Sequence, residues 1–395
     1  MPRQRILSNP AFRLAALHGA AFAAIGVSMP FLPVWMESRG LGAGAIGVLL
    51  AIPTVVRVLV TAPLMSLADS PTGARRLLVL GQVGAALGYI VMLGAESPLV
   101  IALLVAAVAV AQAPIVPTGD LLTTDAVRAD PSLNYGRIRV WGSITFLATS
   151  IAGGYVLALL PPDGILWTII GLGLLAMLVS HRAALVRDTP ALEGRRRVLG
   201  LRFDLPRPLA LAIAACACVQ ASHAAVYGFG SIHWRSLGFS GPVIGVLWSI
   251  GVVAEIALFI GLGRMVSGGV KGLRLVGLGA GAAAFRFGVL ATDPGLAATA
   301  CLQALHALTF GATHLGAMAA LTALSPPGAR GAAQGVYSAG QALATGLAMV
   351  ASGGLYRWGG PLAFAAMAPL ALLGLGLVLL AMRAASQPQR VAEGG

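Results

Sequence analysis

The sequence predicts an all-α membrane protein of twelve transmembrane helices in two matched halves of six, and three observations predict it. The 395 residues are 58% hydrophobic and only 10% charged, against about 25% charged residues in a soluble domain. Charge-free runs lie between Arg13 and Glu37, Leu77 and Ala95, Ser97 and Gly119, Val140 and Pro162, Gly331 and Tyr356, and Trp358 and Met382. Each reaches the roughly 20 residues that cross a bilayer. The third observation is an internal repeat that doubles the pattern.

Hydropathy and turn signals place the spans near 12–36, 43–68, 76–95, 98–122, 137–160 and 164–182, then 208–233, 240–263, 272–291, 295–323, 329–354 and 360–382. From Ser38 to Ser236, an offset of 198, "SRGLGAGAIGVLLAIPTVVR" lies over "SLGFSGPVIGVLWSIGVVAE". The same offset sets "RLLVLG" from Arg76 over "RLVGLG" from Arg274, and a near-identical one sets "LAT" at Leu147 over "LAT" at Leu343. Six helices are therefore repeated as six in the same orientation, an arrangement that places a solute site between halves near the midplane. The expected organisation is a six-helix half over 1–182, a cytoplasmic linker over 183–207 and a second half over 208–395. The linker carries Arg195, Arg196 and Arg197 and reads as a topology anchor.

The net charge of +13 would suit a nucleic-acid binder, so the placement of the charges decides. Of the 26 Lys and Arg, Arg39, Arg235 and Arg357 lie in loops on one side and Arg57 and Arg286 within spans; the other 21 fall on the opposite side. This positive-inside bias puts both termini in the cytoplasm of a bacterial-type inner membrane and leaves no nucleic-acid partner. The segment "MPRQRILSNPAFRL" enters the first span without a small-residue cleavage site, so that span is expected to be retained. Cys216, Cys218 and Cys301 fall inside spans and read as packing residues rather than a disulfide or metal set.

Ionised side chains deep in a membrane cost several kcal/mol unless they meet water or a partner. The set here is Arg57, Glu255 and Arg286, with Asp120 near the inner end of span 4. Under the repeat, Arg57 and Glu255 are equivalent positions of opposite charge. A buried ion pair that fixes packing competes with a watery cavity, and the set as a whole favours the cavity. In span 10, "QALHALTFGATH" puts Gln303, His306, Phe310, Thr313 and His314 on a stripe roughly 100° wide at about 100° per residue. Two histidines and a glutamine on one face read as cavity lining rather than metal ligation, since two turns separate the histidines and neither carboxylate nor Cys joins them. For His18 and His223, cavity lining and packing serve equally well.

The segment "PLMSLADSPTGARRLL" resembles the loop motif of the major facilitator superfamily through Leu67, Ala68, Asp69, Gly73, Arg75 and Arg76. It departs at Met65, where the motif has Gly, and by one extra residue before the basic pair. The implied role of Asp69, Gly73, Arg75 and Arg76 is a conformational loop. Within that superfamily the chain looks like the phenylpropionate permease group, related to nucleoside:proton symporters and lactose permease. The likeness rests on "VVRVL" around Arg57, "YGRIRVWGSITF" from Tyr135, "GVVAEIALF" around Glu255, "AAFRFGVL" around Arg286, and "QALHALTFGATH". It implies a solute-binding Arg139 paired with Asp120, and proton coupling through Glu255, Arg286 and His306. The further carboxylate that lactose permease carries on helix 10 has no counterpart.

The expectation is a proton-coupled importer of a small organic solute such as an aromatic carboxylate, working by alternating access. A bare carboxylate is penalised in an apolar setting, so Glu255 would hold a proton until Arg286 or His306 approached. Arg57 and Arg139 would attract the solute carboxylate, Trp141 and Phe310 its ring, with Asp120, Gln303 and His314 completing the solute site. A nucleoside or sugar symporter read by Gln303, Asp120 and His306, or a proton-driven efflux pump, are the alternatives. No cofactor is expected beyond the proton gradient, and the partners are the solute, protons and the lipid bilayer, with the protein acting as a monomer. An enzyme is excluded because no nucleophile and base stand at suitable spacing.

Overall fold

Backbone N–H and C=O groups find no water inside a bilayer, so a spanning chain satisfies them within helices. The computed structural model describes residues 9–69, 71–183, 205–262, 268–326 and 329–386, and among these the chain is helical with no strand. The expected linker arginines Arg195, Arg196 and Arg197 lie outside the described residues.

The first six spans are α1 Pro10–Ser38, α2 Ala43–Met65 with a 3-10 turn Ser66–Asp69, α3 Pro71–Leu93, α4 in two pieces Pro98–Gln112 and Ile115–Ala129, α5 Tyr135–Leu159 and α6 Asp163–Ala183. The next three are α7 in pieces Arg207–Ala221 and Ala224–Ser236, α8 Gly241–Leu262 and α9 Gly269–Leu290. Then α10 runs as Leu296–Ala304, a π-helical turn Ala307–Ala312 and Thr313–Leu324, followed by α11 Arg330–Trp358 and α12 as Gly360–Ala365 and Met367–Ser386. Among the described residues, eleven spans are long and apolar enough to cross a membrane. The twelfth, α11, matches α1 at 29 residues but is more polar, with Gln334, Ser338 and Gln341 along it.

The sequence repeat is a backbone repeat. Gly40 and Gly238, equivalent under the offset, both turn through the left-handed region at φ 77° and 86°, where a side chain would be strained. Ile46 and Ile244, and Leu49 and Leu247, are likewise buried in pairs. Gly81 of α3 and Gly279 of α9 sit at equivalent close crossings with α4 and α10: an added Cβ would lie 2.6 Å from the Ala111 carbonyl oxygen and 2.9 Å from that of Leu308.

Contacts group the chain into two compact units, the described residues of Met1–Arg196 with Tyr227–Ser249, and those of Arg197–Val226 with Ile250–Gly395. In the first, α1 packs on both α5 and α6, which touch each other sparingly. A core of Leu14, Leu17, Leu78, Ile115, Leu122 and Ile138 joins α1, α3, α4 and α5. The Tyr227–Ser249 segment joins this unit through glycine: a Cβ on Gly245 would come within 2.4 Å of the Ser150 carbonyl oxygen of α5. In the second unit α12 packs on α9 and the first piece of α7, around Leu209, Ile213, Leu273, Val276, Tyr337 and Val378. Of the three cysteines Cys216 is buried, Cys218 half-buried and Cys301 exposed, so packing accounts for the first and not the last.

Candidate functional site

In the second unit the polar residues of α7, α8, α9 and α10 meet at two irregularities. α7 breaks at Ser222 and His223 without a proline. There the Ser222 hydroxyl and His223 Nδ1 both bond the Val219 carbonyl, at 2.6 and 3.0 Å. With that carbonyl occupied, the His223 amide turns to Gln220 instead, at 3.1 Å, a side-chain intrusion of the kind that kinks helices. Opposite it, the π-helical turn of α10 presents Thr309, whose hydroxyl lies 2.9 Å from His223 Nε2. π-Bulges recur at functional sites.

Arg286 of α9 is 1% exposed and reaches into this junction. Its Nη2 donates to Gln303 Oε1 at 2.5 Å, and its Nη1 donates to Thr309 Oγ1 at 3.2 Å and to His306 Nδ1 at 3.4 Å. These donors set proton positions, because Arg has no acceptor and a carbonyl has no donor. His306 Nδ1 must accept, which leaves its Nε2 hydrogen facing Glu255 Oε2 of α8 at 3.7 Å, longer than a hydrogen bond. Neutral His223 carries its hydrogen on Nδ1 toward Val219, so the Thr309 hydroxyl donates to Nε2. Gly251 and Gly311 make room: a Cβ on either would lie 3.2 Å from His306 Cβ or 3.4 Å from Glu255 Cγ. Further along α10, Phe310 stacks between His306 at 5.1 Å and His314 at 6.3 Å, and exposure rises toward His314. The expected stripe therefore divides: His306, Phe310 and His314 share a face, while Gln303 turns to Arg286 and Thr313 crowds Gly279.

In the first unit, Asn134 caps α5 by accepting from the Arg137 amide at 3.0 Å, which starts the helix that carries Arg139. Arg139 Nε lies 3.9 Å from Asp120 Oδ1, with both side chains partly exposed at 29% and 38%. The Tyr135 hydroxyl donates to the same Asp120 oxygen at 2.8 Å. The Arg139 guanidinium also lies over the Phe22 ring of α1 at 4.0 Å, a cation–π contact. Below this cluster His18 Nε2 meets the Thr123 hydroxyl at 2.9 Å, and that hydroxyl donates to the Gly119 carbonyl at 2.8 Å.

A twelve-helix membrane fold with buried charge in its spans narrows the identity, and comparison decides it. The model of the MFS_1-like family matches residues 12–366. The chain belongs to that family. It is also 31% identical over 310 residues, 75% of this chain and 78% of the relative, to the Escherichia coli (strain K12) protein named "Probable 3-phenylpropionic acid transporter". Among solved structures, the nucleoside transporter NupG in its D323A form aligns with a TM-score of 0.81 at 15% identity over 95% of this chain and 100% of that one. The xylose transporter XylE from E. coli aligns at 0.69 and 12% over 96% of each. The solved structures share the fold; the family match and the 31% identical relative make this MFS_1-like protein a multi-pass transporter of a small solute and not an enzyme.

The remaining candidates stand apart from these two clusters. Arg57 of α2 is exposed and within electrostatic reach of Tyr89 of α3. Trp141, two residues beyond Arg139, points another way and lines a lateral groove that includes neither Asp120 nor Arg139. In the loop motif Asp69 closes the 3-10 turn with its side chain outside the described residues. Arg75 Nη2 meets the His181 ring of α6, at 2.6 Å to Nε2, while Arg76 is exposed and Gly73 half-buried. Thr309 and Thr123 escaped the sequence reading, because a threonine in an apolar helix usually bonds its own backbone.

Proposed function

We propose that this MFS_1-like protein couples proton entry to uptake of a small organic carboxylate bearing an aromatic ring. It works by alternating access in the inner membrane, as a monomer with both termini cytoplasmic. The observation that carries this reading is the Arg286–His306–Glu255 arrangement: a fixed cation orients an imidazole so that its N–H faces a half-buried carboxylate. The 3.7 Å gap closes or opens with a small shift of α8 against α10. Closed, the imidazole stabilises the carboxylate and releases its proton; open, desolvation returns the proton to Glu255. The membrane potential adds about 2.3 kcal/mol per charge per 100 mV, which supports tens-fold accumulation.

The solute carboxylate is assigned to Arg139, whose bond to Asp120 is long enough to exchange for another anion, with Arg57 as a second cation. Phe310 with His314 offers the ring surface of the second unit. The relative named for 3-phenylpropionic acid supports this solute class. A nucleoside or sugar symporter draws less support, because Gln303 already spends its carbonyl oxygen on Arg286. Transport in everted vesicles separates uptake from efflux.

Glu255→Gln in proteoliposomes tests the coupling. Solute counterflow should persist while accumulation driven by a pH gradient vanishes. Accumulation that survives in the variant removes Glu255 from the proton path.

A further inference from the structure

Because α5 and α6 both lean on α1 and barely on each other, a groove of about 610 Å³ opens along the side of the first unit. Its floor is α1, where Ala15, Ala16, Gly19, Ala20 and Ala23 leave no side chain to fill it; Trp141, Leu175 and Val179 form the walls. Ser132, Asn134 and Arg137 line one end, at the turn from α4 into α5, and the Thr145 hydroxyl further along is turned onto the Gly19 and Trp141 carbonyls. The groove is thus apolar along its length and basic at its mouth.

We infer that this groove holds one acyl chain of an anionic phospholipid, with the lipid phosphate on Arg137. Two observations and the proposed orientation select that occupant. From Ala11 to Ala23 the floor climbs twelve residue steps, about 18 Å at 1.5 Å per residue, close to the roughly 15 Å of hydrocarbon in one leaflet. Among the described residues no acid lines the groove, and the acid of the turn at its mouth, Asp130, is folded onto the Ser132 amide at 2.9 Å. Hydrogen bonds from Ser132 hold the Asp130 carboxyl below its usual range, so it stays engaged there. Last, the proposed orientation sets this mouth on the cytoplasmic side, where anionic headgroups attract basic residues near the surface. Arg137 is exposed, whereas Arg139 lies against Asp120 and Phe22 on another face of the same helix.

Trp141 is half exposed in the groove wall and reports occupancy directly. In proteoliposomes, phosphatidylglycerol and phosphatidylcholine with brominated chains are compared as contact quenchers, and the Trp141 signal is isolated by difference from Trp141→Phe. The brominated phosphatidylglycerol should quench at several-fold lower mole fraction than the phosphatidylcholine. Arg137→Gln should erase that preference while chain quenching persists, and Ala20→Phe should weaken quenching by both lipids. Equal quenching by the two lipids in the unaltered protein overturns the proposal. So does relief of quenching by added 3-phenylpropionate, which would give the groove to the solute. Neither readout uses transport, so the inference and the proposed coupling fail independently.

Discussion

Each half of the protein joins its first and fourth helices by a histidine and a threonine 2.9 Å apart, His18 with Thr123 and His223 with Thr309. The two bonds run in opposite directions. Thr123 gives its hydrogen to the Gly119 carbonyl, so His18 must donate to it, and the chain of donors ends on backbone. Thr309 receives from Arg286, and His223 Nδ1 is spent on Val219, so the threonine donates to the histidine. The first clamp is a static tie. The second registers where Arg286 is, because its hydroxyl turns only if that donor leaves. The same contrast holds for the charges: Asp120 and Arg139 are partly open to solvent, whereas Arg286 is buried, with Gln303, Thr309 and His306 accepting from it. In the proposed mechanism the open, long pair is the one that trades partners with the solute, and the buried network, still 3.7 Å short of contact at Glu255, is the one that passes a proton.

The largest expected effect tests the difference in burial. Arg286→Met removes charge-assisted hydrogen bonds to Gln303 and Thr309, each of roughly 1.5–3 kcal/mol, so the purified protein should lose about 3 kcal/mol or more in thermal unfolding. Arg139→Met breaks a solvent-screened pair of at most about 1 kcal/mol, and should weaken solute binding with little loss of stability. Equal destabilisation by the two variants would break the comparison.

An intermediate effect tests direction. Thr309→Val keeps the shape but deprives Arg286 of an acceptor and His223 of its donor, at about 1–3 kcal/mol. With its donor gone, the His223 Nε2 lone pair is left buried and the Arg286 guanidinium loses a fixed partner, so pH-driven accumulation should fall several-fold. Thr123→Val should cost about 1 kcal/mol and leave accumulation unchanged. Equal losses of accumulation in the two variants would show that bond direction has no bearing on coupling.

Much of this contrast could be read in the amino-acid order, for a physical reason. Charge in a membrane is costly, so Glu255, Arg286 and His306 announce themselves, and the structure brings them together. Repeats preserve backbone needs, so Gly40 and Gly238 mark the same turn. Helix irregularity leaves no such trace: nothing in "VQASHAA" signals a break, since it arises from two side chains competing for one carbonyl. The π-helical turn likewise shifts Thr309 away from the register that a regular helix assigns. Two residues along a helix turn the side chain by about 200°, so Trp141 and Arg139 face different ways although both follow from one segment.

The smallest expected effect sharpens the role of the open pair. A Cβ on Gly142 would lie 2.8 Å from Arg139 Nη1 and 3.0 Å from the Phe22 ring, and both are movable ends of side chains rather than backbone. Gly142→Ala should therefore change stability by no more than about 0.5 kcal/mol, as ordinary substitutions do. It should nevertheless push the guanidinium off the ring and away from its present line to Asp120. If Arg139 binds solute before and during translocation alike, the half-saturating concentration should rise a few-fold while the maximal rate holds. An unchanged half-saturation with the guanidinium displaced would make Arg139 a packing residue, and would leave the first unit without its proposed anion partner.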